Sequence, residues 1–344
     1  MKFRAAILNE INKPLIVDTI KSNSLLEGQV LVKVEKSGIC RSQIFEINGQ
    51  RGKDDYLPHL LGHEALGYVI DIGENVSTLQ KGDFVVLSWI QSKGINAEPA
   101  KYSWRGKVLN GGRVTTFSEY SVCSENRCTK ISEKVAKLIG PSLGCALPTG
   151  YGLSLTFNEI KKAKFAAVVG LGGIGMSALT GIIQETNCKV ICIDLEDVRL
   201  EYAKKLGADY IINPFRESNL KERIKDITKN KLLDVLFECS GSIKALNGTL
   251  DLINNNGIVK FVSHPKSGDV LKIDPFDLIL GKKIEGSWGG GVKPEKHFEL
   301  IAKKTSKNLE FLNLYSMKDY PLDNINDAIN DLRNLKVLRP VIKM

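Results

Sequence analysis

The densest chemistry in the chain lies between residues 165 and 199. The apolar run Ala166-Ala167-Val168-Val169 reads as a buried strand, and Gly170-Leu171-Gly172-Gly173-Ile174-Gly175 follows it at once. From Met176 to Thr186 the apolar spacing is helical. In a strand–loop–helix of this kind the first glycine makes the tight turn. The second lets backbone approach a pyrophosphate, the third lets helix pack on strand, and the helix N-terminus attracts the phosphate charge. A further apolar run, Lys189 to Ile193, ends in Asp194, 19 residues after Gly175. A carboxylate there would accept hydrogen bonds from the adenosine ribose hydroxyls and repel a 2′-phosphate, which favours NAD over NADP. The glycine pattern alone is weak evidence, but strand, helix and acid agree around it.

Three other segments carry groups able to bind metal or move protons: Gly38-Ile39-Cys40-Arg41-Ser42, Gly62-His63-Glu64 and Gly144-Cys145-Ala146-Leu147-Pro148-Thr149-Gly150. Taken singly they say little. An isolated cysteine is usually a small buried apolar residue, which is the reading for Cys123, Cys128, Cys188, Cys192 and Cys239. His59 reads as a turn residue after Pro58. His63-Glu64 is not a zincin motif, because Gly67 stands where the second histidine would be. Gly140-Pro141-Ser142-Leu143-Gly144 fits the G-x-S-x-G of a hydrolase elbow. That elbow needs a strand before and a helix directly after, and Pro148 and Gly150 argue against the helix.

These residues need a frame. Downstream of Asp194 the chain alternates: Leu200 to Leu206 helical, Tyr210 to Ile212 extended, Asp234 to Cys239 extended, 242–253 helical, Ile258 to Val262 extended. Alternating elements with short connections predict a doubly wound parallel sheet of the α/β class. The first 140 residues differ. Short apolar runs such as Val30-Leu31-Val32, Tyr68-Val69-Ile70 and Phe84-Val85-Val86-Leu87 stand between Gly and Asp turns, which predicts a compact strand-rich domain.

Composition bounds the rest. With 344 residues, 43% of them apolar, the chain suits two packed domains and excludes disorder or collagen-like structure. The formal charge of +9 is spread among mixed acids and bases, as in Lys221-Glu222-Arg223-Ile224-Lys225-Asp226. It reads as a solvated surface, and no nucleic-acid partner is expected. Seven cysteines are an odd number, too scattered for a disulfide framework, so reduced thiols in the cytoplasm are expected. Ala5-Ala6-Ile7-Leu8 is too short for a signal-peptide core. The uncharged stretch Phe165 to Gln184 is broken by five glycines and reads as strand and helix rather than a membrane span.

Together and in order, the segments make the sequence resemble the zinc-dependent members of the medium-chain dehydrogenase/reductase family, typified by alcohol dehydrogenases. The resemblance covers nearly the whole chain, including the run Gly67 to Asp83. It implies a GroES-like catalytic domain over 1–146, a Rossmann domain over 147–289 and a return to the catalytic domain over 290–344. It implies that Cys40, His63 and Cys145 bind one catalytic zinc. Two thiolates and an imidazole with a fourth position open are a catalytic zinc set. Glu64 would lie just behind the metal, and Ser42 would take the proton of an alcohol. Arg41 and Arg339 match positions that hold the cofactor pyrophosphate. Thr149 and Ile174 match residues against the nicotinamide, and Arg199 matches a basic position near the adenosine ribose. The implied activity is hydride transfer between an alcohol and NAD, in a homodimer or homotetramer. The alcohol is left open among simple alcohols, polyols and sugar hydroxyls, with a lean towards a polar secondary one.

The chain departs from the family in three places. Residues 88–122 contain no cysteine where many relatives carry a four-cysteine lobe, so no structural zinc is expected. The segment from Ser88-Trp89-Ile90-Gln91 through Tyr102 to Trp104 stands there, either shaping the substrate mouth or packing as a surface loop. Gln43 replaces the usual Asp that would polarise the histidine ligand. Phe45 stands where some alcohol dehydrogenases end a proton relay with histidine. Two other functions fit the same pattern: a zinc-free quinone or enone reductase, and a non-catalytic NAD(H)-binding protein.

Overall fold

The structure is a computed structural model that describes residues 1–314 and 318–344; residues 315–317 of the C-terminal return lie outside the described residues. Packing divides the chain into two compact units. One is Met1–Cys145 with Lys293–Met344, and the other is Ala146–Val292. The sequence reading drew these lines after 146 and 289.

The second unit is a six-stranded parallel sheet. Its strands run in the order Tyr210–Ile212, Lys189–Ile193, Phe165–Val169, Leu233–Glu238, Ile253–Phe261, Lys283–Gly286. Strands buried on both faces read as unbroken apolar runs, and Ala166, Ala167 and Val168 at the centre are fully buried. The chain leaves Phe165–Val169 towards one edge and later returns to start Leu233–Glu238 on the other side. That reversal puts the glycine loop at the topological switch point, where open α/β sheets bind ligands. The helix Gly173–Glu185 starts from that loop.

The fold departs from the expected elements at two places. Residues 242–253 are not one helix: Ile243–Asn247 ends at Gly248, and a 3-10 turn Leu250–Leu252 follows. The strand predicted from Ile258 begins at Ile253, through the unpromising Asn254-Asn255-Asn256-Gly257, and the register shifts between Leu233 and Val235 to accommodate it. Pairing along the sheet overrides a weak local propensity.

The first unit holds a closed barrel of Lys2–Leu8, Ile16–Ser22, Lys101–Trp104, Lys107–Asn110 and His59–Leu60. Beside it lies a seven-stranded sheet in the order Cys128–Lys130, Phe84–Ser88, Glu64–Ile72, Gln29–Gly38, Val341–Lys343, Asp319–Pro321, with Tyr120–Ser124 also on Gln29–Gly38. Its ladders pair Ser37 with Ala65, Glu64 with Ser88 and Val341 with Gly38, so the ends of four strands meet at one place. The helix Arg41–Ile47 starts there. It buries Ile44 and Ile47 against Ile325, Ala328 and Ile329 of the C-terminal helix Ile325–Arg333.

The segment 88–104 is packed rather than open over its second half. Tyr102 and Trp104 sit in the barrel core with Phe3, Ile20 and Leu109. The first half is tied by the Ile95 N–H, which donates at 2.7 Å to the buried Glu125; outside the segment the same carboxylate accepts from the backbone of Ser77 (2.8 Å) and Thr78 (2.7 Å) and from the Thr78 hydroxyl (2.8 Å). Among the described residues no helix is long and apolar enough to cross a membrane.

Candidate functional site

Cys40 caps the helix Arg41–Ile47, His63 stands one residue before the strand Glu64–Ile72, and Cys145 ends the 3-10 turn Pro141–Gly144. Gly144 makes the last approach possible: a Cβ there would lie 2.3 Å from the Leu87 carbonyl oxygen and 3.0 Å from the Glu64 Cα. The Ser88 hydroxyl donates to the Gly144 carbonyl at 2.7 Å and fixes the turn. The three candidate ligand atoms lie within 4.8 Å of one another. His63 Nε2 is 3.3 Å from Cys145 Sγ, and the two sulfurs are 3.9 Å apart. A tetrahedral zinc with bonds of about 2.3 Å to sulfur and about 2.0–2.1 Å to nitrogen sets these edges near about 3.6 and 3.8 Å. The donor set and its spacing fit zinc.

The site's electrostatics favour the same reading. The Cys145 thiol donates to Cys40, and this bond, helped by His63 and Arg339, holds Cys40 well below the usual thiol range. Sharing that proton, together with burial, pushes Cys145 well above it. Burial pulls His63 down, but its hydrogen bond to Cys40 and the charges of Cys40 and Glu64 raise it overall. Burial likewise raises Glu64 against the pull of Arg339.

Glu64 is fully buried, and Arg339 donates to both of its carboxylate oxygens. The family resemblance implies a cofactor phosphate for Arg339, and nothing local in the sequence pairs it with Glu64. Arg41 is the exposed first residue of its helix. Ser42 follows in the same first turn, and its buried hydroxyl has no hydrogen-bond partner in the structure. Gln43 is buried with its Oε1 accepting from the Cys40 backbone N–H at 2.9 Å and its Nε2 2.5 Å from His63 Nδ1. That capping bond was missed, although Cys40-Arg41-Ser42-Gln43 has the spacing of a capping box with cysteine as the cap. Phe45 is half-buried one turn on. His59 lies outside the cluster and bonds Asp54 at 2.8 Å.

In the other unit, Gly170 has φ +84°, and a Cβ on Gly175 would lie 1.8 Å from the Gly170 carbonyl oxygen. A Cβ on Gly172 would meet nothing within 4 Å, so the loop presents bare backbone there. Open space over the start of the helix Gly173–Glu185 fits a pyrophosphate. Asp194 sits beside that loop, accepting from the Leu171 N–H at 2.5 Å and the Glu196 N–H at 2.9 Å, with Arg199 at 3.6 Å. Thr149 is buried in the helix Ala146–Thr156, and Ile174 is half-buried in the first turn of its own. Gly150 joins the two helices, since a Cβ there would stand 2.1 Å from the Ile174 carbonyl oxygen.

The G-x-S-x-G segment fails as a hydrolase elbow, but not through Pro148. A helix, Ala146–Thr156, does follow Gly144, because Pro148 falls in its first turn, where its missing N–H costs little. What is missing is the strand: the helix Glu133–Ile139 precedes the motif, and Ser142 is buried.

Comparison with known proteins agrees with this geometry. Residues 26–133 match the family described as alcohol dehydrogenase GroES-like domain, and residues 173–305 match zinc-binding dehydrogenase. An S-(hydroxymethyl)glutathione dehydrogenase from Synechocystis sp. is 28% identical, covering 99% of this chain and all of that protein. One from Escherichia coli O1:K1 is 29% identical over the full length of both. Among solved structures, benzyl alcohol dehydrogenase from Acinetobacter calcoaceticus superposes with a TM-score of 0.88 at 27% identity, covering 100% of this chain and 99% of that one. The fold and site define an oxidoreductase acting on alcohols. The chain belongs to the zinc-dependent medium-chain alcohol dehydrogenase family.

Proposed function

We propose that the chain oxidises an alcohol with NAD at a single zinc held by Cys40, His63 and Cys145. The observation that carries this reading is the convergence of those three ligand atoms, from three separate elements, at zinc spacing. Zinc in such a site supplies Lewis acidity that makes a hydroxyl more acidic, and NAD supplies the hydride-accepting ring. The chain's own residues do the rest. The partnerless Ser42 hydroxyl, in the helix turn that Cys40 caps, accepts the alcohol proton. Glu64 and Arg339 form the buried charge pair behind the ligands. The Gly170–Gly175 loop and its helix N-terminus bind the pyrophosphate, with Asp194 on the ribose and Arg199 beside it; Arg41 serves the phosphates as well. Thr149 and Ile174 border the nicotinamide.

The substrates named for the relatives, S-(hydroxymethyl)glutathione and benzyl alcohol, join the polar secondary alcohols and polyols as candidates. All seven cysteines are free, which supports a reducing compartment, the cytoplasm. The edge strand Lys283–Gly286 and the exposed Phe276 and Ile279 before it support a homo-oligomer, dimer or tetramer. The test is a metal assay joined to an NAD-coupled screen of these alcohols. About one zinc per chain with alcohol turnover is expected. A zinc-free protein that reduces quinones or enones would overturn the reading, as would nucleotide binding with no turnover.

A further inference from the structure

The side chain that sets the histidine ligand apart from the family pattern is Gln43, and its two ends can be told apart. A backbone N–H can only donate, so the end of the carboxamide facing the Cys40 N–H at 2.9 Å must be the oxygen. The end facing His63 Nδ1 at 2.5 Å is therefore the NH2 group, which can only donate. His63 Nδ1 must then be an acceptor, which puts the ring proton on Nε2. In the arrangement seen, that Nε2 points at the Cys145 sulfur 3.3 Å away.

The same nitrogen is the one aimed at the cluster. A metal needs its lone pair, so the ring proton must sit on Nδ1 when metal is bound, donating to an acceptor that fixes the ring. A carboxylate at position 43 has two oxygens and could accept from Cys40 and His63 together. A carboxamide has one. We propose that Gln43 is a positioning residue that holds His63 in the Nε2–H form, and that its carboxamide turns over when metal binds, surrendering the cap on the Cys40 N–H. The metal centre and the first turn of the helix Arg41–Ile47, which carries Ser42, then compete for one oxygen. This rests on the zinc reading above and deepens it. The consequence is a chain that holds zinc more weakly than a carboxylate at this position would allow.

The test uses the full-length chain with 15N-labelled histidine, metal-stripped and then zinc-loaded, beside the isosteric variant Gln43→Glu. Metal-stripped wild type should show His63 protonated at Nε2, with the proton on Nδ1 once zinc is added. Gln43→Glu should show Nδ1–H before and after loading. By chelator competition its zinc affinity should be about 10- to 100-fold tighter. Wild-type His63 already protonated at Nδ1 without metal would overturn the inference, and that measurement needs no variant. Equal zinc affinities, or tighter binding with no tautomer difference, would overturn it and leave the zinc reading standing. Failure of both proteins to bind zinc would overturn the two together.

Discussion

Arg339 donates to both carboxylate oxygens of Glu64 across 275 residues of sequence, with 7% of the Arg339 side chain exposed and none of Glu64. The pair joins the C-terminal return to the strand that follows His63. Val341 lies opposite Gly38, where a Cβ would strike the Glu64 side chain. A buried pair contributes little against an apolar substitute, but removing one partner strands the other. Glu64→Gln or Arg339→Met alone should each cost about 3–5 kcal/mol. The double variant should lose clearly less than the sum, read from urea midpoints. Additive losses would show that the two groups act independently.

Ser42 carries a different expectation, because its buried hydroxyl bonds nothing in the structure. Ser42→Ala should not lower the unfolding midpoint, since no hydrogen bond is lost and an unsatisfied buried hydroxyl is removed. Alcohol turnover at pH 7 should fall by about 10²- to 10⁴-fold, the usual share of a proton acceptor. Undiminished turnover would remove Ser42 from the chemistry.

Glu125 anchors the segment that stands where many relatives have a four-cysteine lobe. Burial raises its carboxyl, but the Ile95, Thr78 and Ser77 N–H groups outweigh burial and hold it below its ordinary value of 4.5. A depressed carboxyl contributes stability that is full above 4.5 and is lost as pH falls through the lower folded value. Glu125→Gln, which turns an NH2 towards backbone donors, should therefore destabilise by about 2 kcal/mol at pH 7. The gap from wild type should narrow below pH 4.5. Urea unfolding at both pH values reads this, and a gap that widens in acid would contradict it.

Much of the parallel-sheet unit was legible in the sequence, because backbone needs there dictate residue type. Only glycine suits φ +84° at Gly170 and the 1.8 Å approach at Gly175. The catalytic unit was less legible. Cys40, His63 and Cys145 come together only through strand ends that pair far along the chain, so their spacing carried no signal and the family resemblance did. Nothing local marked Glu64 as the partner of Arg339, or Glu125 among the other acids. Apolar periodicity runs on past Gly248, where the helix stops, and Pro148 does not stop its helix because a proline in a first helical turn breaks no bond.

Asp194 should set the choice of cofactor. Its carboxylate lies beside the glycine loop through the Leu171 N–H. Asp194→Ala should raise KM for NAD and cut the preference of kcat/KM for NAD over NADP by at least about tenfold, by removing the charge that repels a 2′-phosphate. An unchanged ratio would place the ribose elsewhere.

The most direct test of the account is zinc content and alcohol oxidation followed together in wild type and Cys145→Ser. Wild type should hold about one zinc per chain, lose NAD-dependent alcohol oxidation on chelation and regain it with zinc; the variant should hold far less zinc and stay inactive. Wild-type activity that survives complete removal of zinc, or a fully active Cys145→Ser, would contradict it.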